Sequence, residues 1–218
     1  MNRQENKNLN KKVFISKKDE KILVIKRDIL FNNNILSNNS SLQGLMEIDF
    51  SVYQNLIEKN KEFIWRSQAE TDEKYKQIIP YLIFKFQDKF FLMQRKNNAS
   101  EVRLQNKYSL GIGGHIRLED ISSKTIFDWS IREFNEEVIY SGNLKITPIG
   151  LLNDDGDAVG RVHVGFVILI EGDSADIKIR DEHKDGNLLT LHECEQYYDN
   201  MENWSKIILR SCSLLQAD

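Results

Sequence analysis

"GGHIRLEDISSKTIFDWSIREFNEEVIY", residues 113–140, gathers three glutamates and an arginine into the six positions of REFNEE (132–137). Phe127, Ile131, Phe134 and Val138 recur at helical spacing, so the stretch predicts a helix with one face against a core. Glu133, Glu136 and Glu137 stand at i, i+3 and i+4 and share the opposite arc, which is expected to face outward. Arg132 lies four residues before Glu136, within reach of a guanidinium–carboxylate pair. Carboxylates this close raise one another's pKa unless a cation neutralises them, and a hard ion such as Mg2+ prefers oxygen ligands. Gly113 and Gly114 let the backbone approach such an ion, so a carbonyl there can add a ligand. Taken alone, REFNEE reads as a solvated acidic face; joined to Gly113, Glu119 and the strand order, it reads as a metal site.

Around this stretch the pattern alternates between strands and helices. KILVIKRDILF (21–31) predicts one strand or two short ones, and FSVYQNLIEKNKEFI (50–64) a helix capped by Ser51. PYLIFKF and KFFLMQRK flank QD as a hairpin, and YSLGIGGHI (108–116) is a strand running into glycines. LKITPIGLLN and GRVHVGFVILIE are strands joined by the DDGD turn, with ADIKIRDEH (175–183) a further strand. NDDGD (153–157) lacks the spacing and terminal glutamate of a calcium loop. LHECEQYYDN and NWSKIILRSCSLL predict closing helices, the latter with Trp204, Ile207, Ile208 and Leu215 on its apolar face. The fold class is therefore α/β with a mixed sheet. Residues 1–12 are expected to be a flexible tail, 13–77 an N-terminal extension of strands plus a helix, and 78–218 the main domain.

Composition narrows the function. The 218 residues suit one sizeable domain, and a net charge of −3 offers no footprint for a nucleic acid polymer or a membrane. The polar N-terminus has no signal-peptide core, and the apolar run at 166–170 is far too short to span a bilayer. Cys194 and Cys212 fit no metal spacing, which points to a reduced, cytoplasmic setting. His115 and His163 are expected to be structural hydrogen-bonders, and Tyr197, Tyr198 and Trp204 packing residues. Arg95, at a strand end, is a candidate for binding a substrate phosphate.

The spacing G-x5-E from Gly113 to Glu119, followed by REFNEE, resembles the signature box of the Nudix hydrolases, G-x5-E-x7-R-E-U-x-E-E-x-G-U with U bulky and aliphatic. Phe134 takes the first U position. Two features depart from the box: twelve residues rather than seven separate Glu119 from Arg132, and Ile139 replaces the late glycine. The resemblance implies an α/β/α sandwich with a mixed sheet. It also implies hydrolysis of diphosphate linkages in nucleoside-diphosphate-X compounds with Mg2+ or Mn2+. On that basis Glu133, Glu136, Glu137 and the Gly113 carbonyl are the expected metal ligands, and Glu133 also a catalytic group that activates water. Arg132 would hold the glutamates, Glu119 would support them, and Glu182, with Glu171 second, would be the general base. The expected partner is a small diphosphate substrate; the sequence leaves the oligomeric state open, with the N-terminal strand and helix available as a homodimer surface. The alternative is a catalytically silent sensor on the same fold, against which the intact carboxylates count. An isopentenyl-diphosphate-isomerase-like enzyme would need a reactive cysteine beside the diphosphate, and both cysteines here fall in the C-terminal helices.

Overall fold

The computed structural model describes residues 19–31, 43–96, 105–121, 126–180 and 183–211. The expected tail at 1–12, Glu182, Cys212 and Leu215 lie outside them. In chain order the elements begin β1 (Lys21–Lys26), α1 (Arg27–Phe31), β2 (Gly44–Glu47), α2 (Phe50–Asn60), β3 (Glu62–Trp65), α3 (Arg66–Ala69), β4 (Tyr75–Phe86), β5 (Lys89–Arg95), β6 (Tyr108–Ser109) and β7 (Gly111–Gly113). A 3-10 turn at Leu118–Ile121 precedes α4 (Ile126–Glu137). Then come β8 (Val138–Ile139), β9 (Leu144–Asn153), α5 (Ala158–Val162), β10 (His163–Gly172), β11 (Lys178–Ile179), β12 (His183–Thr190), α6 (Leu191–Glu195) and α7 (Asn203–Arg210).

The main path of the sheet runs β12-β5-β4-β10-β9-β2, with β4 and β10 parallel and the neighbouring pairs antiparallel. The other edge of β4 is shared: β1 pairs with residues 75–77 and β7 with 81–83. Pro80, which has no N–H to give a ladder, falls in the gap between these two partners. Both central strands are buried on two faces, so they read as continuous apolar runs rather than alternating ones. Ile78, Leu82, Phe84, Phe166 and Ile168 face the layer of α2 and α4, where Tyr53, Ile57, Trp129 and Phe134 meet them. Tyr81, Ile83, Val167 and Leu169 face Cys194 of α6 and Ile208 and Leu209 of α7. The result is an α/β/α sandwich around a mixed sheet.

Several local expectations change in three dimensions. Residues 21–31 form a strand followed by a short helix. The helix expected over 50–64 stops at Asn60, because Phe63 and Ile64 are drawn into a ladder with Leu23 and Ile22. Its cap is Asp49 rather than Ser51: the Asp49 carboxylate accepts from the Ser51 and Val52 backbone N–H groups. Between β9 and β10 the acidic turn leads into α5, whose N-cap Asp157 accepts from Gly160 N at 2.7 Å. The neighbouring Asp155 binds the Arg27 guanidinium and, at 2.7 Å, the fully buried Lys76 ammonium.

The N-terminal region is woven into the main sheet. The boundary expected at residue 77 falls inside β4, and Leu23, Ile25, Leu30 and Tyr53 share one core with Trp129 and Phe166. Leu23 N also donates to Ile116 O at 2.8 Å, so β1 backs the loop that follows the two glycines. A chain that begins at Tyr75 is therefore expected to lose cooperative unfolding by calorimetry and to become insoluble. A sharp, reversible transition in that truncation would show the extension to be separable.

Candidate active site

β7 ends where β4 passes so close that a Cβ on Gly113 would stand 2.7 Å from the Pro80 carbonyl oxygen. On Gly114 a Cβ would stand 2.3 Å from Glu133 Oε1. Bare backbone at 114 thus lets α4 press a carboxylate against the loop. Behind it, Phe134 and Val138 are buried, with Phe134 stacked on Phe84 at 5.8 Å between ring centroids, so the helix is anchored on the sheet. The arc of glutamates does not simply face solvent, as its spacing suggested. Glu133 turns inward with its side chain 14% exposed, while Glu136 is 58% exposed. Burial first, and then the charge of Glu137, lifts the Glu133 carboxyl up to about 7 against the pull of Arg132.

Arg132 spans the cluster. Its guanidinium reaches Glu136 at 2.5 Å, Asp120 at 3.2 Å and Glu133 at 3.6 Å, and lies over the Trp129 ring at 5.4 Å. Asp120, buried in the 3-10 turn, is the residue that sequence reasoning missed. It accepts from Arg117 N (3.0 Å), Arg117 Nε (3.1 Å), Arg117 Nη2 (3.2 Å) and Trp129 Nε1 (3.1 Å). Burial pushes its pKa up, but the Arg117 and Trp129 hydrogen bonds outweigh it and hold the carboxyl below its usual range. Glu119, the residue at the box position, is exposed one step away. The available signal was R-x-x-D at 117–120, the spacing of one tight helical turn.

The other expected residues are dispersed. Arg95 Nε lies 3.5 Å from the largely buried Glu202 carboxylate, which engages it within the protein. Glu171 pairs with Lys145 at 2.9 Å. Glu182 lies outside the described residues, yet its flank is anchored nearby: Arg180 N donates to Glu137 O at 2.8 Å and Arg180 Nε to Val138 O at 3.1 Å. Trp204 packs edge-on to Tyr81 and Tyr197 against Tyr108, as packing residues do.

The chain is 33% identical over 207 residues to protein YmaB of Bacillus subtilis, a match that covers 89% of this chain and 98% of that protein. Among solved structures, Tm1382, a candidate Nudix hydrolase, is 32% identical, with 90% of this chain and all of that one covered at a TM-score of 0.74. The NUDIX domain of Shewanella oneidensis NrtR, solved with ADP ribose, shares the fold at 15% identity and a TM-score of 0.51, over 65% of this chain and 89% of its own. No protein-family model matches. Identity and coverage at the level of Tm1382, together with the box and the sandwich, place this chain in the Nudix hydrolase family.

Two outcomes follow from this geometry. Because the Glu133 pKa is raised from 4.5, the folded protein keeps that proton after the unfolded chain has released it. Its stabilising effect is complete below about pH 4.5 and is lost as pH rises through about 7, an upper limit of about 3 kcal/mol. Urea unfolding in chelator should therefore show a steeper decline over that window in the parent than in Glu133→Gln. Asp120→Asn strips the carboxylate from two guanidinium groups and should cost about 2–3 kcal/mol in the same assay; a loss below about 0.5 kcal/mol would remove Asp120 from its anchoring role.

Proposed function

We propose that this Nudix chain hydrolyses a diphosphate linkage in a nucleoside-diphosphate-X type or related phosphorylated compound, with Mg2+ or Mn2+ as its cofactor. The observation that carries the proposal is the Glu133 carboxylate seated against the bare backbone of Gly114 beside Glu136 and Glu137, on a helix fixed from behind by Phe134. A carboxylate whose pKa is raised first by burial and then by the charge of Glu137 is a group that a cation would relieve, so the donor set fits a hard, oxygen-preferring divalent ion. Glu133, Glu136, Glu137 and the Gly113 carbonyl would hold it. When bound, such an ion neutralises phosphate oxygens and lowers the pKa of water.

The protein's own residues then have distinct tasks. Arg132, clamped by Asp120 and stacked on Trp129, holds the Glu136 and Glu133 carboxylates in register. Glu133 is the nearest carboxylate to the glycine loop and the candidate for taking a proton from water. Glu182 is a second candidate base, supported by the bonds that fasten Arg180 to the end of α4. The ADP ribose bound by the NrtR domain makes an ADP-sugar a sensible first substrate to try. No helix among the described residues is long and apolar enough to cross a membrane.

A panel of nucleoside-diphosphate-X compounds assayed with Mg2+ or Mn2+ tests the function. For whichever compound is cleaved, Glu137→Gln should lower kcat/KM by about a hundredfold or more, and Arg132→Lys by less. Glu195→Gln, at an exposed position on α6 where the carboxylate lies 3.3 Å from His192 Nδ1, should leave it unchanged. Binding without turnover across the panel would favour the sensor. Equal activity in Glu137→Gln and Glu195→Gln would return REFNEE to a solvated face.

A further inference from the structure

We propose that Glu70, His115 and His163 form a second metal site, suited to a borderline transition-metal ion such as Zn2+ and separate from the glutamate cluster. Their ligand atoms all lie within 4.8 Å of one another, although the three residues come from distant parts of the chain. Glu70 caps α3, His115 directly follows Gly114, and His163 opens β10. Parallel pairing sets His163 beside Gln77 of β4, and His115 meets both from the glycine loop.

The two imidazoles have the geometry of ligands. His115 Nε2 and His163 Nε2 are 3.3 Å apart. Two donors about 2.0–2.1 Å from a tetrahedral Zn2+ stand about 3.3 Å from each other. His163 Nδ1 is 2.8 Å from the Val159 carbonyl oxygen, which can only accept. Nδ1 of the neutral ring therefore carries the proton, and the Nε2 lone pair faces His115. A backbone carbonyl behind the far nitrogen is a common way for proteins to orient a metal-binding histidine.

Gln77 is an independent pointer. It is fully buried, its Oε1 lies 2.7 Å from His115 Nε2, and its Nε2 meets no acceptor among the described residues. Among the described residues the amide is held only by that bond to His115 Nε2, which an ion on the same nitrogen would displace, freeing the oxygen to turn onto the ion as a fourth donor. Glu70 must leave only a part-exposed pair with Arg66, at 3.2 Å, and its side chain is 35% exposed and able to swing inward. Two nitrogens with oxygens favour Zn2+ or Co2+, whereas the all-oxygen glutamate cluster favours Mg2+ or Mn2+. An ion here would clip α3 of the N-terminal region to the glycine loop and to β10.

The test is to titrate the full-length protein with Co2+ in a large excess of Mg2+, following visible d–d absorption, and to record thermal melting with Zn2+ under the same conditions. One equivalent of Co2+ is expected, with intense bands of low coordination number and a raised melting temperature with Zn2+. Glu70→Gln and His115→Gln should each weaken Co2+ binding about tenfold or more, while the Glu133→Gln/Glu137→Gln double variant keeps it. His163→Ala should abolish binding; if that variant does not fold, the two part-exposed positions decide. Absence of Co2+ binding in excess Mg2+ would overturn the proposal. So would binding that survives both Glu70→Gln and His115→Gln, or that disappears in the glutamate double variant. Loss in His115→Gln with Glu70→Gln unchanged would overturn the three-ligand assignment. None of these readouts depends on hydrolysis, so the site stands or falls apart from the proposed activity.

Discussion

Parallel pairing between Gln77–Lys85 and His163–Glu171 joins two strands that are each buried on both faces, and the remaining layers attach to the surfaces those strands create. Side chains alternate along a strand, so one register sends Leu82 and Ile168 to the helix bearing the glutamates and Tyr81 and Val167 to the C-terminal helices. A slip of one residue would exchange the two faces and strand every helix against the wrong partners. The same register sets His163 beside Gln77. On the other edge of β4, antiparallel pairing with residues 81–83 holds β7 and so positions Gly113 and the loop against which Glu133 packs.

Electrostatics shape the site in two opposed ways. Asp120 and the guanidinium groups of Arg117 and Arg132 form a charge-matched anchor beside the Trp129 ring, in which the Asp120 carboxylate pairs with both guanidinium groups. At the residue after Arg132 the balance reverses. Glu133 sits among like charges and low-dielectric packing, and its raised pKa records that mismatch. A well-satisfied anchor beside a poorly satisfied carboxylate is the arrangement expected where a protein holds a site open to a ligand it does not itself supply.

The N-terminal region takes part in this arrangement. Strand β1 pairs with the start of β4, donates from Leu23 to the loop at Ile116, and places Arg27 against Asp155. Loop, turn and helix therefore share supports with residues far away in sequence.

Much was legible in the sequence because it depends on local spacing. The helix over REFNEE, the common arc of its glutamates, the hairpin at Gln87–Asp88 and the alternation of strands and helices all follow from periodicity and turn chemistry. The box resemblance rests on the same local order. Long-range contact decided the rest. The helix at 50–64 lost its last turn to a strand partner in β1, and the burial of Glu133 depends on a glycine nineteen residues earlier. Asp120 took the anchoring place beside the expected Glu119 because Trp129 and Arg132 converge there across the inserted loop. Likewise, nothing in the chain order of Glu70, His115 and His163 announces that sheet register brings them within reach of one another. Sequence specifies the donors through residue type and spacing; only tertiary packing sets which are desolvated and which meet, because burial and distance are properties of the folded chain.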